Sequence, residues 1–148
     1  GTRAVPGLVP RRIDLILAVL AQRAQLDLSS ADVFVSVAGG LTVREPAADL
    51  AIAAAVVSSA TLRAVPGDVM MLGEVGLTGE LRSVPEPSRR ISEAARLGFS
   101  RIVAPRDRSV RPAGGEVEWA RSARLQQVAT LGEAMHAMSL QDAGLRAV

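Results

Sequence analysis

The run from Glu45 to Ala60, EPAADLAIAAAVVSSA, constrains the fold of this chain more than any other stretch. Pro46 occupies what reads as the first helical position, where its missing N–H is not needed and its fixed φ is already helical. Glu45 stands just before it and Asp49 lies in the first turn, where carboxylates meet the free amides and the positive end of the helix dipole. The alanines and valines that follow carry no charge. Such a helix is slim enough to lie close against a sheet and too apolar to lie in water. Upstream, DVFVSVAGG has the β-branched and aromatic character of a strand ending in a glycine turn, and LTV after it is expected to pair back as a short hairpin. Strand, turn and buried helix in succession predict an α/β domain.

The rest of the chain continues the alternation. From Arg11 to Gln25, apolar Ile13, Ile16, Leu17, Leu20 and Ala24 recur at helical spacing, with Leu15 and Val19 widening the stripe. VMMLGEVGLTGELRSV reads as two strands joined near Leu77 to Gly79, and PSRRISEAARLG as a helix stopped by Gly98. RIVAP is a short buried strand, RPAGGE a flexible loop, and RLQQVATLGEAMHAM a strand followed by a helix. At 148 residues and 49% hydrophobic, this is one domain with a real core. Its expected limits are 11–140, with 1–10 a linker and 141–148 a C-terminal tail. The absence of an initiator Met makes it an expected piece of a longer protein. No run is long enough for a bilayer span and no signal peptide opens the chain, so a cytoplasmic address without membrane contact is expected.

Charge matters by its distribution. The isoelectric point near 10.8 reflects seventeen basic residues that are all arginine, with no Lys, Tyr or Cys to titrate in the alkaline range; the net charge is only +2. Residues 81 to 111 hold eight Arg against Glu86, Glu93 and Asp107, a local net of +5, so the remainder is net −3.

Composition also removes whole classes of chemistry. A P-loop needs a lysine, and none is present. Gly73, Gly76 and Gly79 lack the GxGxxG order and fall between strands, so they are turn glycines. With no Cys and one His, His136, neither a Cys-ligated zinc nor a thiolate nucleophile is available, and a Ser/Lys dyad is excluded by count. Glu45 and Asp49, four apart, read as structural carboxylates at a helix start rather than a catalytic pair.

Three segments in order, DVFVSVAGGLTVREPAADLAIAAAVVSS, GEVGLTGELRSV and RRISEAARLGFSRIVAP, carry a family resemblance. Together they resemble the proteolytic domain of Lon in the diverged form that ends the RadA (Sms) family of bacterial DNA-repair proteins. Active Lon has GPSAG at the helix start; the matching run here is EPAAD, with Ala47 at the nucleophile's position and Asp49 at the second glycine. The dyad lysine falls on Ser88. The resemblance therefore implies a catalytically inactive Lon-like fold, akin to the second domain of the small-subunit ribosomal protein five, with a mixed sheet packed by about four helices.

By the same resemblance, the fragment holds no cofactor of its own; ATP, Mg and Zn belong to a RecA-like ATPase and a zinc motif in the missing domains. The implied partners are other copies of itself in a hexameric ring, duplex or branched DNA during branch migration, and the recombinase RecA. The two apolar helices, low in charge, add an expectation of self-association unless the sheet covers both. For DNA, Phe34, Phe99 and Trp119 are too few to form a stacking platform, whereas phosphate contact needs only positioned arginines. The candidates are Arg82, Arg89, Arg90, Arg106 and Arg108, to which the resemblance adds Arg12 and Arg23. Two alternatives stand beside this reading: a Lon-like peptidase, and the Lon-like domain of a ComM or magnesium-chelatase-type AAA+ protein.

Overall fold

A computed structural model describes residues 1–110 and 122–140. In chain order they form β1 (Arg3–Ala4), α1 (Pro10–Arg23), β2 (Val33–Phe34), α2 (Asp49–Thr61), β3 (Val69–Met71), β4 (Glu74–Val75), β5 (Leu81–Arg82), α3 (Pro87–Arg96), β6 (Arg101–Pro105), β7 (Arg124–Val128) and α4 (Leu131–Ala137). The domain is α/β, with four helices and both parallel and antiparallel pairing among the described residues. RPAGGE, Trp119 and the segment 141–148 lie outside them.

The centre is a parallel sheet in the order β3-β6-β7. As its middle strand, β6 is covered on both faces, which is why RIVAP reads as an unbroken apolar run. Successive residues of a strand face opposite ways. Val103 joins the larger core, built from Ile13, Ile16 and Leu20 of α1, Leu50, Ala53 and Val57 of α2, and Leu131 and Met135 of α4. Ile102 and Ala104 join a second cluster with Ile91 and Ala94 of α3. Among the described residues, helices thus lie on both faces, with α1, α2 and α4 on one and α3 on the other.

Pro46 opens a 3-10 turn, Pro46–Ala48, that runs directly into α2, and the Glu45 side chain accepts the Ala47 N–H at 3.2 Å. The helix ends at Leu62 in the left-handed conformation. The passage from β7 into α4 is secured by Thr130, whose hydroxyl accepts the Glu133 N–H at 3.1 Å and caps α4.

Several expectations need correction. LTV does not pair back as a hairpin: Val43 donates its N–H to the Gly7 carbonyl at 2.7 Å, so the segment runs beside the loop ahead of α1. Residues 3 and 4, within the stretch read as a linker, pair in parallel with β2. The strand expected across VMMLGEV is two. Gly73 sits at the break because its N–H goes to the Ala47 carbonyl at 2.9 Å and its carbonyl accepts the Leu50 N–H at 3.1 Å. With both polar groups engaged by the start of α2, the chain leaves the parallel sheet and turns into the β4–β5 hairpin. The surplus apolar surface expected on α1 is also absent: Ile13, Ile16, Leu17, Val19 and Leu20 are buried within the chain, and Leu15 packs against the same core.

Candidate functional site

The start of α2 is where the local sequence and the tertiary structure meet. Asp49 is 1% exposed, the one buried charged residue among those described. Its carboxylate accepts both prongs of the Arg12 guanidinium, the Nε contact measuring 2.8 Å, and also takes the Val75 N–H at 3.0 Å. Glu74 lies 3.6 Å from the same guanidinium. These hydrogen bonds, against the opposing effect of burial, raise the Arg12 pKa above its ordinary value. Asp49 therefore joins α1, α2 and β4 rather than serving the amides of its own helix start. Arg12, expected to reach DNA phosphate, is committed to this clamp.

Next to the clamp, Ala47 is buried and lines a cleft of about 520 Å³ between β3 and α3. Met70, Met71 and Leu72 line it together with Ala94, Leu97 and Phe99, and its charged residues are Glu45, Glu86 and Glu93 with Arg89 and Arg90. Ser88 sits half-buried in the first turn of α3 and is not among the lining residues. Ala47 supplies only a methyl to the cleft, so no side-chain hydroxyl stands at that position to attack a bound carbonyl. No group of three or more His, Cys, Asp or Glu spaced to hold a metal occurs among the described residues. No described helix is long and apolar enough to cross a membrane.

The candidate arginines separate into two places. Arg89 and Arg90 lie on α3, where Arg89 pairs with Glu86 at 3.6 Å. Arg90 donates to the Pro85 carbonyl at 2.8 Å and pairs with Glu45 at 3.5 Å, tying the start of α2 to α3. Glu93 is held by Arg96. Arg23, Arg82, Arg106 and Arg108 are exposed, and the first three lie near the β4–β5 hairpin. Leu81 donates to the Ala129 carbonyl at 2.9 Å and Arg106 to the Val128 carbonyl at 3.2 Å, so Arg82 and Arg106 flank one stretch of backbone. A Cβ at Gly79 would come within 3.1 Å of Arg23 Cγ, which places Arg23 against the hairpin turn. Arg82 is paired with Glu80 at 3.2 Å and Arg106 with Glu133 at 3.7 Å.

The turn itself is built by its glycines. Gly79 donates to the Gly76 carbonyl at 3.0 Å and has φ +85°, a conformation that costs glycine nothing. Glu80 reaches back to the Thr78 hydroxyl, which, with the backbone amides and Arg82, lowers its pKa to about 2. His136 lies on the last turn of α4. Phe34 is 71% exposed on β2, while Phe99 packs into the α3 cluster.

Residues 12–108 match the family described as ChlI, subunit ChlI of Mg-chelatase. The chain belongs to the ChlI family. The match runs from Arg12 to Arg108, so the clamp, the cleft and the hairpin all fall inside the ChlI-family region. Curated relatives bear another name. The chain is 58% identical over 57 residues to the DNA repair protein RadA of Aquifex aeolicus, covering 38% of this chain. It is 53% identical over 57 residues to that of Chlamydia pneumoniae, again 38% of this chain, and 47% identical over 58 residues, or 39%, to that of Rickettsia bellii. The resemblance to RadA holds on these identities. In each comparison the chain spans only 13% of the relative's length.

The sequence reading missed the Arg12–Asp49 pair. A signal for it existed: Asp49 is the only charge between Pro46 and Ala60, and a carboxylate on so apolar a helix needs a cation brought from elsewhere.

Proposed function

We propose that this ChlI-family domain is a non-catalytic part of a RadA-type DNA-repair protein, serving ring assembly and contact with duplex DNA during branch migration. The observation that carries the reading is the 58% identity to a DNA repair protein RadA. It is supported by the methyl of Ala47 where a nucleophile would stand, and by the exposed Arg23, Arg82 and Arg106 near the β4–β5 hairpin. On this reading the ATP, Mg and Zn chemistry resides in other domains of the full protein, in the cytoplasm, and the partners are copies of itself, branched DNA and RecA. The ChlI family description favours one alternative, a domain of a magnesium-chelatase-type AAA+ protein.

Arginines that touch phosphate release counterions, so affinity should fall steeply with salt and be indifferent to base sequence. Each domain binds weakly, and several on one ring bind well. The test compares the salt dependence of duplex binding for the wild-type chain, for Arg82→Ala/Arg106→Ala and for Arg89→Ala/Arg90→Ala. Flattening of the slope in either double variant supports phosphate contact by that pair. A wild-type chain with no salt-dependent duplex binding refutes the DNA role.

A further inference from the structure

The smaller parallel pair, β1 with β2, has an open edge on its β2 side among the described residues. From Asp32 to Ala38 the exposure alternates: Asp32, Phe34, Ser36 and Ala38 are exposed, Val33 is buried, and Val35 and Val37 are partly buried. This is the period of a strand covered on one face. The backbone stays extended past β2, with Val37 at φ −94° and ψ 126°.

The hydrogen bonds alternate in the same way. Val33 donates its N–H to the Thr2 carbonyl at 2.8 Å and Val35 to the Ala4 carbonyl at 2.9 Å, so these two residues bond toward β1. The main-chain groups of Asp32, Phe34 and Ser36 point the other way, where no described strand lies and no described backbone bond reaches them. Strand edges left to solvent are usually guarded by proline or charge, and from Val33 to Val37 there is neither.

The surface beside this edge is apolar or small. Phe34 is 71% exposed. On the core side, residues 32–36 line a hollow of about 430 Å³ with Ala55, Val56, Ser59 and Ala60 of α2. Its one charged residue is Asp32, whose carboxylate already accepts the Thr2 N–H at 2.7 Å.

The edge is complementary to itself. In an antiparallel pair centred on Phe34, the Phe34 of one copy opposes the Phe34 of the other, and Asp32 opposes Ser36 on either side. Each of these pairs exchanges both of its N–H···O=C bonds, so every outward group finds a partner. Phenylalanine against phenylalanine is a favourable cross-strand pair, and the carboxylate faces a hydroxyl rather than its like. Toward the core, Val33 opposes Val35.

We propose that the β2 edge binds a second copy of this chain, joining two domains about a twofold axis through a continuous sheet in the order β1-β2-β2-β1. The exposed Ala55 and Ser59 are small enough for the two α2 helices to approach over the hollow. Such a contact is isologous and gives a dimer, whereas ring closure needs a head-to-tail contact. It therefore stands or falls separately from the ring reading and from the DNA reading.

Sedimentation equilibrium of the 148-residue chain tests it, with variants at the centre of the contact. Phe34→Asp and Phe34→Lys each set like charges against one another on the twofold, so each alone should be monomeric where the wild type dimerises. An equimolar mixture of the two should recover the dimer. Circular dichroism checks that both variants keep the fold. A second measurement reads the register: the chain has no cysteine, so Asp32→Cys and Ser36→Cys each introduce a sole thiol. Mixed and oxidised, they should form a disulfide-linked heterodimer in preference to either homodimer. Four results overturn the proposal. A wild-type chain monomeric up to about 1 mM would leave the edge to a segment of another protein. An oligomer unchanged by either Phe34 variant would place assembly on another surface. A mixture of the Phe34 variants that stays monomeric, or Cys variants with no preference for each other, would exclude the twofold register.

Discussion

Arg12 and Asp49, 37 positions apart, form a two-pronged ion pair in which the carboxylate is 1% exposed and the guanidinium side chain 26% exposed. The two groups are unequal in their access to water. Removing the arginine strands a buried anion, whereas removing the aspartate leaves a cation that can still reach solvent and Glu74.

Arg12→Ala should therefore destabilise the fold by about 3–5 kcal/mol, the cost of an uncompensated buried charge. Asp49→Ala should cost less, about 2 kcal/mol, chiefly through the unsatisfied Val75 N–H. Urea denaturation measures both. The double variant should cost less than the two single losses added together, since the groups share one interaction. An Asp49→Ala loss greater than that of Arg12→Ala would contradict this asymmetry.

Glu80 ionises at about 2, held there first by the Thr78 hydroxyl. Its folded pKa lies below the unfolded value near 4.5, so its stabilising contribution is present above that value and is lost as pH falls toward 2. Asp68 and Asp107 are lowered as well, by Ser100 and Ser109, and act in the same direction. Stability should decline on acidification below about pH 4.5. A Cβ at Gly76 would lie 1.8 Å from Glu80 Oε1, so Gly76→Ala should push that flexible carboxylate off Thr78. Carboxyl NMR titration should then show the Glu80 midpoint rising toward the ordinary range; an unmoved midpoint would refute the assignment to Thr78.

Peptide-bond hydrolysis is not expected. The purified chain should leave casein and small peptides intact, with or without ATP, and a fluorophosphonate serine probe should not label it at Ala47 or Ser88. Turnover that survives repurification would restore the peptidase alternative.

Thr130 accepts the Glu133 N–H while Glu133 Oε2 accepts the Ala129 N–H at 2.8 Å. Thr130→Ala should cost about 1 kcal/mol by loss of the cap. Thr130→Ser, which keeps the oxygen, should recover most of it. Thermal unfolding of the pair separates capping from packing.

The helices were legible in the sequence because their signals are local. Pro46 and Gly98 mark ends by their own backbone chemistry, and the spacing of Ile13, Ile16 and Leu20 records one buried face. RIVAP likewise announced a short buried strand. Ala47, with no hydroxyl, could be read as chemically inert before any coordinates were known.

What the sequence could not decide were pairings between distant segments. Nothing near Gly73 announces that its amide and carbonyl are taken by the start of α2, yet those two bonds turn one expected strand into β3 and β4. Nothing near Arg12 distinguishes a phosphate contact from a clamp on Asp49. Nor does any local pattern bring Arg82 and Arg106 to one stretch of backbone. Local propensity is carried by a residue and its near neighbours in the chain. The partner of a buried charge or a strand edge is chosen by which segments the packed core brings together, and that choice exists only once the chain has folded.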